Sequence, residues 1–145
     1  GMGPGESYVD SKAASIMGIY ENTVDGMMTD YVFPQENGHH EQVKWFRIGD
    51  GKDGLLCKME EKLGLNLANY TDESLEKAQH PFEIEKADDV IIHLDYRQSG
   101  LGSNSCGEEQ LEENKVKLQD FAMAFTVQAA ECGTEIRKAR KQYID

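Results

Sequence analysis

Residues 43–59, VKWFRIGDGKDGLLCKM, form the stretch that decides the fold class. Residues 43–48 combine aromatic and β-branched residues with two basic residues, so both faces of an extended chain would carry apolar side chains. The turn-forming run 49–54 follows, and residues 55–59 return as a second apolar segment. Two such runs around a Gly/Asp turn predict an antiparallel β-hairpin.

Further short elements flank this hairpin on both sides. We predict strands over residues 14–20, 31–34, 63–70, 82–85, 89–96 and 118–130, and a polar turn over 22–30. Alternating apolar residues favour a strand in the last segment, although its alanines also permit a helix. Residues 71–78 begin with a capping threonine and acids, which predicts a short helix that ends before Pro81. These elements together predict an all-β, antiparallel β-sandwich with one short helix.

The composition limits the classes of partner. With 15 basic and 27 acidic residues among 145, the net charge is −12, which disfavours nucleic acid and anionic membrane surfaces. No apolar run approaches the ~20 residues that a membrane helix needs. The odd count of three cysteines, without CxxC spacing, favours reduced thiols and hence a cytoplasmic protein. Neutral ligands such as sugars remain compatible with this charge.

The loop of residues 95–107, DYRQSGLGSNSCG, is the candidate binding site. It follows the apolar run 90–94, so a rigid strand leads into a segment that is rich in glycine and in hydrogen-bonding side chains. Loops at the ends of strands often carry function. Asp95 and Arg97 share one side of the predicted strand, and we expect them to pair with each other.

Several other residues allow two interpretations of their role. Cys106 could be a nucleophile with His93 as its base, but a structural thiol is favoured because no third residue completes the set. The run 39–41, His-His-Glu, could ligate a metal, yet neighbouring histidines on an extended chain point apart, so a solvated turn is favoured and no metal site is predicted. Trp45 could be a sugar platform, although its apolar neighbours favour the core. Glu36 is read as a turn or interface carboxylate.

Several motifs occur in the order found in one enzyme family. They are GPGESY at 3–8, YVFPQENG at 31–38, Trp45, a helix ending near His80, LDY at 94–96 and GLG at 100–102. In this order they resemble the C-terminal small-chain region of glycoside hydrolase family 2 β-galactosidases. The resemblance covers residues 1–127 and implies the later half of a galactose mutarotase-like supersandwich. We therefore expect a sandwich domain over 1–130 and a basic C-terminal tail over 131–145.

The resemblance also implies a role for the loop. Family members hydrolyse terminal β-galactosides such as lactose with two glutamates of a separate barrel domain, about 5 Å apart in retaining enzymes. No segment here resembles that barrel, so no catalytic residue is expected and the isolated chain is predicted to be inactive. The corresponding loop in the family borders the active site and carries a sugar-stacking tryptophan, where this chain has Cys106. The expected substrate-binding residues are Asp95, Tyr96, Arg97, Gly102, Ser103, Asn104 and Cys106.

The same resemblance sets the expected partners and cofactors. The chain would join the remainder of a β-galactosidase, or a large subunit, and border a galactoside or another neutral carbohydrate. The parent enzymes often use Mg and Na or K in other domains, and no cofactor is expected in this chain. The alternative is a free-standing module for carbohydrate or protein binding, with a homodimer possible. A small cysteine enzyme built on Cys106 is a distant third hypothesis.

Overall fold

The computed structural model describes residues 1–100 and 106–131, which form mainly short antiparallel strands. The strands are β1 (Met2–Gly3), β2 (Ile16–Met17), β3 (His40–Gly49), β4 (Asp53–Ala68), β5 (Ile91–Asp95) and β6 (Phe125–Glu131). Two short helices, α1 (Val24–Met27) and α2 (Asp72–Lys77), and three short 3₁₀ helices (Lys12–Ala14, Pro81–Glu83, Glu112–Asn114) connect them. This arrangement confirms the predicted all-β antiparallel class, with a second short helix in addition to the one expected.

β4 is the central strand of the larger sheet, in which it is hydrogen-bonded to β3, β5 and β6. Residues 64–68 pair antiparallel with residues 91–95 of β5, and residues 53–59 pair antiparallel with residues 125–131 of β6. β1 and β2 form a separate two-stranded sheet. The predicted hairpin is confirmed, since β3 and β4 flank a tight turn in which Gly51 has a φ of +94°.

The chain forms two compact units, and β4 contributes residues to both. The first comprises residues 1–43 and 63–121. Its core includes Ala68, Tyr70 and Leu75, against which Met28, Ile84 and Ile91 pack. Residues 63–66 of β4 are all buried, so both faces of the strand are covered in this unit.

The second unit contains residues 44–62 and, among the described residues, 122–131. Phe46, Leu56, Cys57, Met59 and Ala130 are its buried apolar residues. Burial raises the pKa of the Cys57 thiol. None of the helices within the described residues is long and apolar enough to cross a membrane.

Several predicted boundaries differ from the structure. The runs 55–59 and 63–70 belong largely to one strand, β4, because the exposed charged residues between them continue the extended chain. Residues 82–85 are not a strand, since Pro81–Glu83 is a 3₁₀ helix, and residues 31–34 lie outside the strands. Residues 22–30 include α1, where Thr23 accepts a hydrogen bond from the Gly26 amide. The predicted basic tail lies outside the described residues, apart from Glu131.

Candidate functional site

Asp95 ends β5 opposite Gly64 of β4 and turns its carboxylate inward. Its Oδ2 atom is buried and lies 3.8 Å from Nε2 of His39. The expected pairing with Arg97 is therefore wrong. The strand ends at Asp95 and the chain bends at the next residue, so the alternation that would place residues 95 and 97 on one side does not continue.

An aromatic stack lies directly after this strand. The rings of Tyr96 and Phe121 are parallel within 16°, with centroids 5.0 Å apart. The guanidinium carbon of Arg97 lies 5.9 Å from the centroid of the Tyr96 ring, within the range of a cation–π contact. Arg97 is exposed, and Phe121 keeps 57% of its surface exposed. Tyr96 and Arg97 are predicted site residues, whereas Phe121, which lies far along the chain, is not among them.

His39 is fully buried, so its assignment to a solvated turn is wrong. Its Nδ1 lies 2.9 Å from the carbonyl oxygen of Ser7, and its ring stacks on Tyr8 with centroids 5.4 Å apart. The space for this ring depends on Gly64, where a Cβ atom would lie 2.1 Å from Nε2 of His39. A glycine far along the chain thus makes room for the imidazole, which no local pattern around residue 39 reveals.

Two carboxyl groups flank this imidazole. Oε1 of Glu41 lies 3.9 Å from Nδ1, and Asp95 lies on the Nε2 side. The Glu41 backbone N–H donates to the Ser7 hydroxyl at 2.9 Å, which fixes the start of β3 against the N-terminal segment. Burial raises the pKa of the Glu41 carboxyl, and the neighbouring His39 opposes this shift. The cluster joins residues 7, 39, 41 and 95 into one buried polar group at the base of the loop.

Glu6 connects two of the motifs named above, GPGESY and YVFPQENG. Its Oε2 accepts hydrogen bonds from the Tyr8 hydroxyl and the Gly38 amide, both at 2.9 Å, and its Oε1 accepts from the Tyr31 hydroxyl. The bond to Glu6 raises the pKa of Tyr31 to about 12, and burial raises that of Tyr8. Gly38 has a φ of +77°, with the carbonyl oxygen of Met27 only 2.4 Å from the position of a Cβ atom. Glu6 is not among the residues predicted from the sequence to form a site.

The remaining predicted residues are only partly brought together. Cys106 is exposed. The Nε2 atom of His93, the candidate base for Cys106, lies 3.5 Å from Oδ1 of Asp72 on α2. Gly102, Ser103 and Asn104 lie outside the described residues. Within residues 1–100 and 106–131, no group of three or more His, Cys, Asp or Glu side chains is arranged to hold a metal ion.

Asp10 contacts residues on both sides of the segment 101–105. Its Oδ1 accepts from the Gly100 amide at 3.0 Å, and its Oδ2 accepts from the Gln110 side-chain amide at 2.6 Å. The adjacent Val9 N–H donates to the Gln98 carbonyl at 3.3 Å. The N-terminal segment therefore holds the loop through its backbone and through one carboxylate.

Comparison with known proteins gives a family. The family profile described as beta galactosidase small chain matches residues 1–127. The chain is 34% identical to a beta-galactosidase of Actinobacillus pleuropneumoniae over 86% of its own length, and 31% identical to one of Kluyveromyces lactis over 86%. A beta-galactosidase of Arthrobacter sp. is 29% identical over 90% of the chain. The matches cover only 12%, 12% and 13% of those three proteins. The expected resemblance is confirmed: the chain belongs to the beta galactosidase small chain family.

Proposed function

We propose that the chain is the C-terminal sandwich module of a β-galactosidase, which supports and borders the active site without supplying catalytic groups. The family match over residues 1–127 carries this proposal. The chain corresponds to about an eighth of the relatives' length, so the catalytic residues would come from the remainder of the enzyme. Metal ions, where the enzyme uses them, would likewise be held by its other domains.

A partly exposed apolar sheet face in the second unit supports docking to that remainder. Leu55, Cys57 and Met59 of β4 lie directly opposite Ala129, Val127 and Phe125 of β6, which places all six on one face. Of these, Leu55, Phe125 and Val127 are 47%, 48% and 52% exposed, whereas Cys57 and Met59 are buried. The other face of β6 carries Thr126, Gln128 and the buried Ala130. A continuous apolar face on one side of a sheet is what a second sandwich layer covers.

The segment after β5 is the proposed border of the sugar pocket. Asp95 ends β5, Tyr96 and Arg97 begin the segment, and Cys106 is exposed beyond residues 101–105. Arg97, Ser103 and Asn104 are proposed to offer hydrogen bonds to a neutral galactoside, with Gly102 allowing close approach. Cys106 has no ring face, so stacking on a sugar would depend on other residues. Such a border would shape the pocket and exclude water, while proton transfer would belong to the barrel carboxyls.

A chimeric enzyme tests the proposal. The region of the Actinobacillus pleuropneumoniae beta-galactosidase that matches residues 1–127 is replaced by this chain, and nitrophenyl-galactoside hydrolysis is compared with that of a variant lacking the region. We expect the chimera to be active, and both the deletion variant and the isolated chain to show no turnover above background. Turnover by the isolated chain would contradict the non-catalytic role. A folded chimera no more active than the deletion variant would contradict the supporting role.

A free-standing carbohydrate-binding module is the second candidate, favoured by the exposed Phe121 ring stacked on Tyr96. Exposed aromatic rings supply the apolar faces on which sugars stack. Calorimetric titration of the isolated chain with galactose and lactose tests this role. Binding that Phe121→Ala removes would support it, whereas the absence of binding would leave the module of a larger enzyme.

A further inference from the structure

One carboxylate, that of Asp10, bonds to two points that are close in space and separated along the chain. Gly100 lies directly before residues 101–105, and Gln110 lies five residues after them. Oδ1 of Asp10 accepts a hydrogen bond from the first of these residues, and Oδ2 accepts one from the second. Bonds to an ionised acceptor are among the stronger hydrogen bonds in proteins.

The surroundings of Asp10 make this contact geometrically specific. The preceding Tyr8 and Val9 are 3% and 4% exposed, so the backbone that carries Asp10 is fixed in the first unit. At Gly100, a Cβ atom would lie 2.2 Å from Oδ1 of Asp10. The carboxylate can therefore reach this backbone amide only because residue 100 has no side chain.

We propose that Asp10 is a positioning residue: by bonding Gly100 with one oxygen and Gln110 with the other, it fixes the separation of residues 100 and 110 and thereby the placement of residues 106–110. These two hydrogen bonds, called the Asp10 clamp below, are contacts of the structure. Its importance for catalysis rests on the proposed function, in which this loop borders the active site.

The contact can be tested by moving the carboxylate from residue 10 to residue 110 and the amide from residue 110 to residue 10. Asp10→Ala removes both acceptors, whereas Asp10→Asn keeps one oxygen for the Gly100 amide, and the Gln110 amide can rotate to accept from the new nitrogen. Gln110→Glu places a second carboxylate against Asp10 and should open the clamp. Combining Asp10→Asn with Gln110→Glu restores a donor opposite an acceptor, so a double-mutant cycle isolates the contact.

Two spectroscopic readouts on the full chain report on the clamp. Amide hydrogen exchange by NMR follows the Gly100 N–H, and a nitroxide label on the exposed Cys106 follows the motion of residues 106–110. The label is attached in a Cys132→Ser background, in which the remaining thiol, Cys57, is buried. Amides of β3 and β4 in the second unit serve as a control for folding.

We expect Asp10→Ala to speed Gly100 exchange about tenfold or more, the size expected from losing a bond to a charged group, and to sharpen the label spectrum. Asp10→Asn should remain within about threefold of wild type, because one acceptor is retained. Gln110→Glu should sharpen the label spectrum, and the double variant should reverse that change. If Asp10→Ala fails to fold, the swapped pair still decides the question.

The proposal is overturned if Asp10→Ala leaves both readouts unchanged, or if the double variant resembles Gln110→Glu alone. The chimera separates this result from the proposed function. Asp10→Ala should lower its kcat/KM while Asp10→Asn preserves it. An inactive wild-type chimera contradicts only the proposed function, because the NMR and spin-label readouts test the clamp independently.

Discussion

Gly64 shows how one residue can determine a buried site. The His39 ring lies where a Cβ atom of residue 64 would be, and it is confined by Tyr8 and Ser7. We expect Gly64→Ala to lower the free energy of unfolding by about 1–3 kcal/mol, because overpacking of a confined site displaces its neighbours. Urea denaturation followed by circular dichroism measures this loss. Gly5→Ala is the matched control, since no atom lies within 4 Å of its Cβ position, and an equal loss in both variants would contradict the steric argument.

Glu41 should make stability dependent on pH in a defined direction. Burial raises the pKa of its carboxyl in the folded chain above the ordinary value of 4.5. The stabilising contribution is fully present below that ordinary value and is lost as the pH rises through the folded pKa, because the buried group must then ionise. Glu41→Gln removes this loss. The difference in unfolding free energy between variant and wild type should therefore grow in favour of the variant as the pH rises above about 4.5.

Denaturant titrations at several pH values measure that difference. Glu60→Gln, which alters an exposed carboxylate of β4, is the control and should give a nearly constant difference. A constant difference for Glu41→Gln as well would show that its burial has no energetic consequence. A difference that shrinks with rising pH would reverse the assigned direction.

The sequence indicated which segments matter but not which residues connect them. GPGESY and YVFPQENG were recognised as motifs, and the structure shows that the Glu6 carboxylate joins them through Tyr8, Tyr31 and Gly38. Their occurrence together was the available signal for such a contact. His39 gave no comparable signal, because its burial depends on a glycine from another strand.

At the level of elements, α2 was predictable because its start signal is local. Thr71 accepts a hydrogen bond from the Ser74 amide, as an N-cap residue does, and acids occupy the first turn. We expect Thr71→Ala to lower the free energy of unfolding by about 0.5–2 kcal/mol. Urea denaturation measures the loss. Thr29→Ala, at an exposed loop threonine that caps neither α-helix of the described residues, should change stability much less.

Elements determined by competing local bonds were not predictable from hydrophobic pattern. The sequence predicts a strand over residues 82–85. In the structure the Glu83 carboxylate accepts hydrogen bonds from the Gln79 and His80 backbone amides and stabilises a 3₁₀ turn. The predicted bounds of β4 were wrong for a different reason, because one continuous strand was predicted as two. The exposed charged residues 60–62 predicted a break between two strands. The chain nevertheless stays extended there, because residues 53–59 pair with β6 and residues 64–68 pair with β5.

For the whole molecule, the apolar face of β4 and β6 gives the most direct test of assembly. Val127 and Thr126 are adjacent on β6 and point to opposite faces. In the chimeric enzyme, Val127→Glu should reduce activity at least about tenfold, because docking would bury an unpaired carboxylate. Thr126→Glu introduces the same charge opposite Lys58 and should be tolerated. Equal activity of the two variants would show that this face docks against nothing.

The Asp10 contacts also have a consequence for the order of folding. They join residues 90 and 100 positions apart, and closing so long a stretch of chain costs conformational entropy. Synthesis proceeds from the N-terminus, so Tyr8 and Val9 leave the ribosome long before Gln98 and Gln110. Until those residues emerge, the N-terminal segment cannot complete its final contacts. The nascent chain should therefore expose this apolar segment until residue 110 has emerged, as a site at which chaperones can bind.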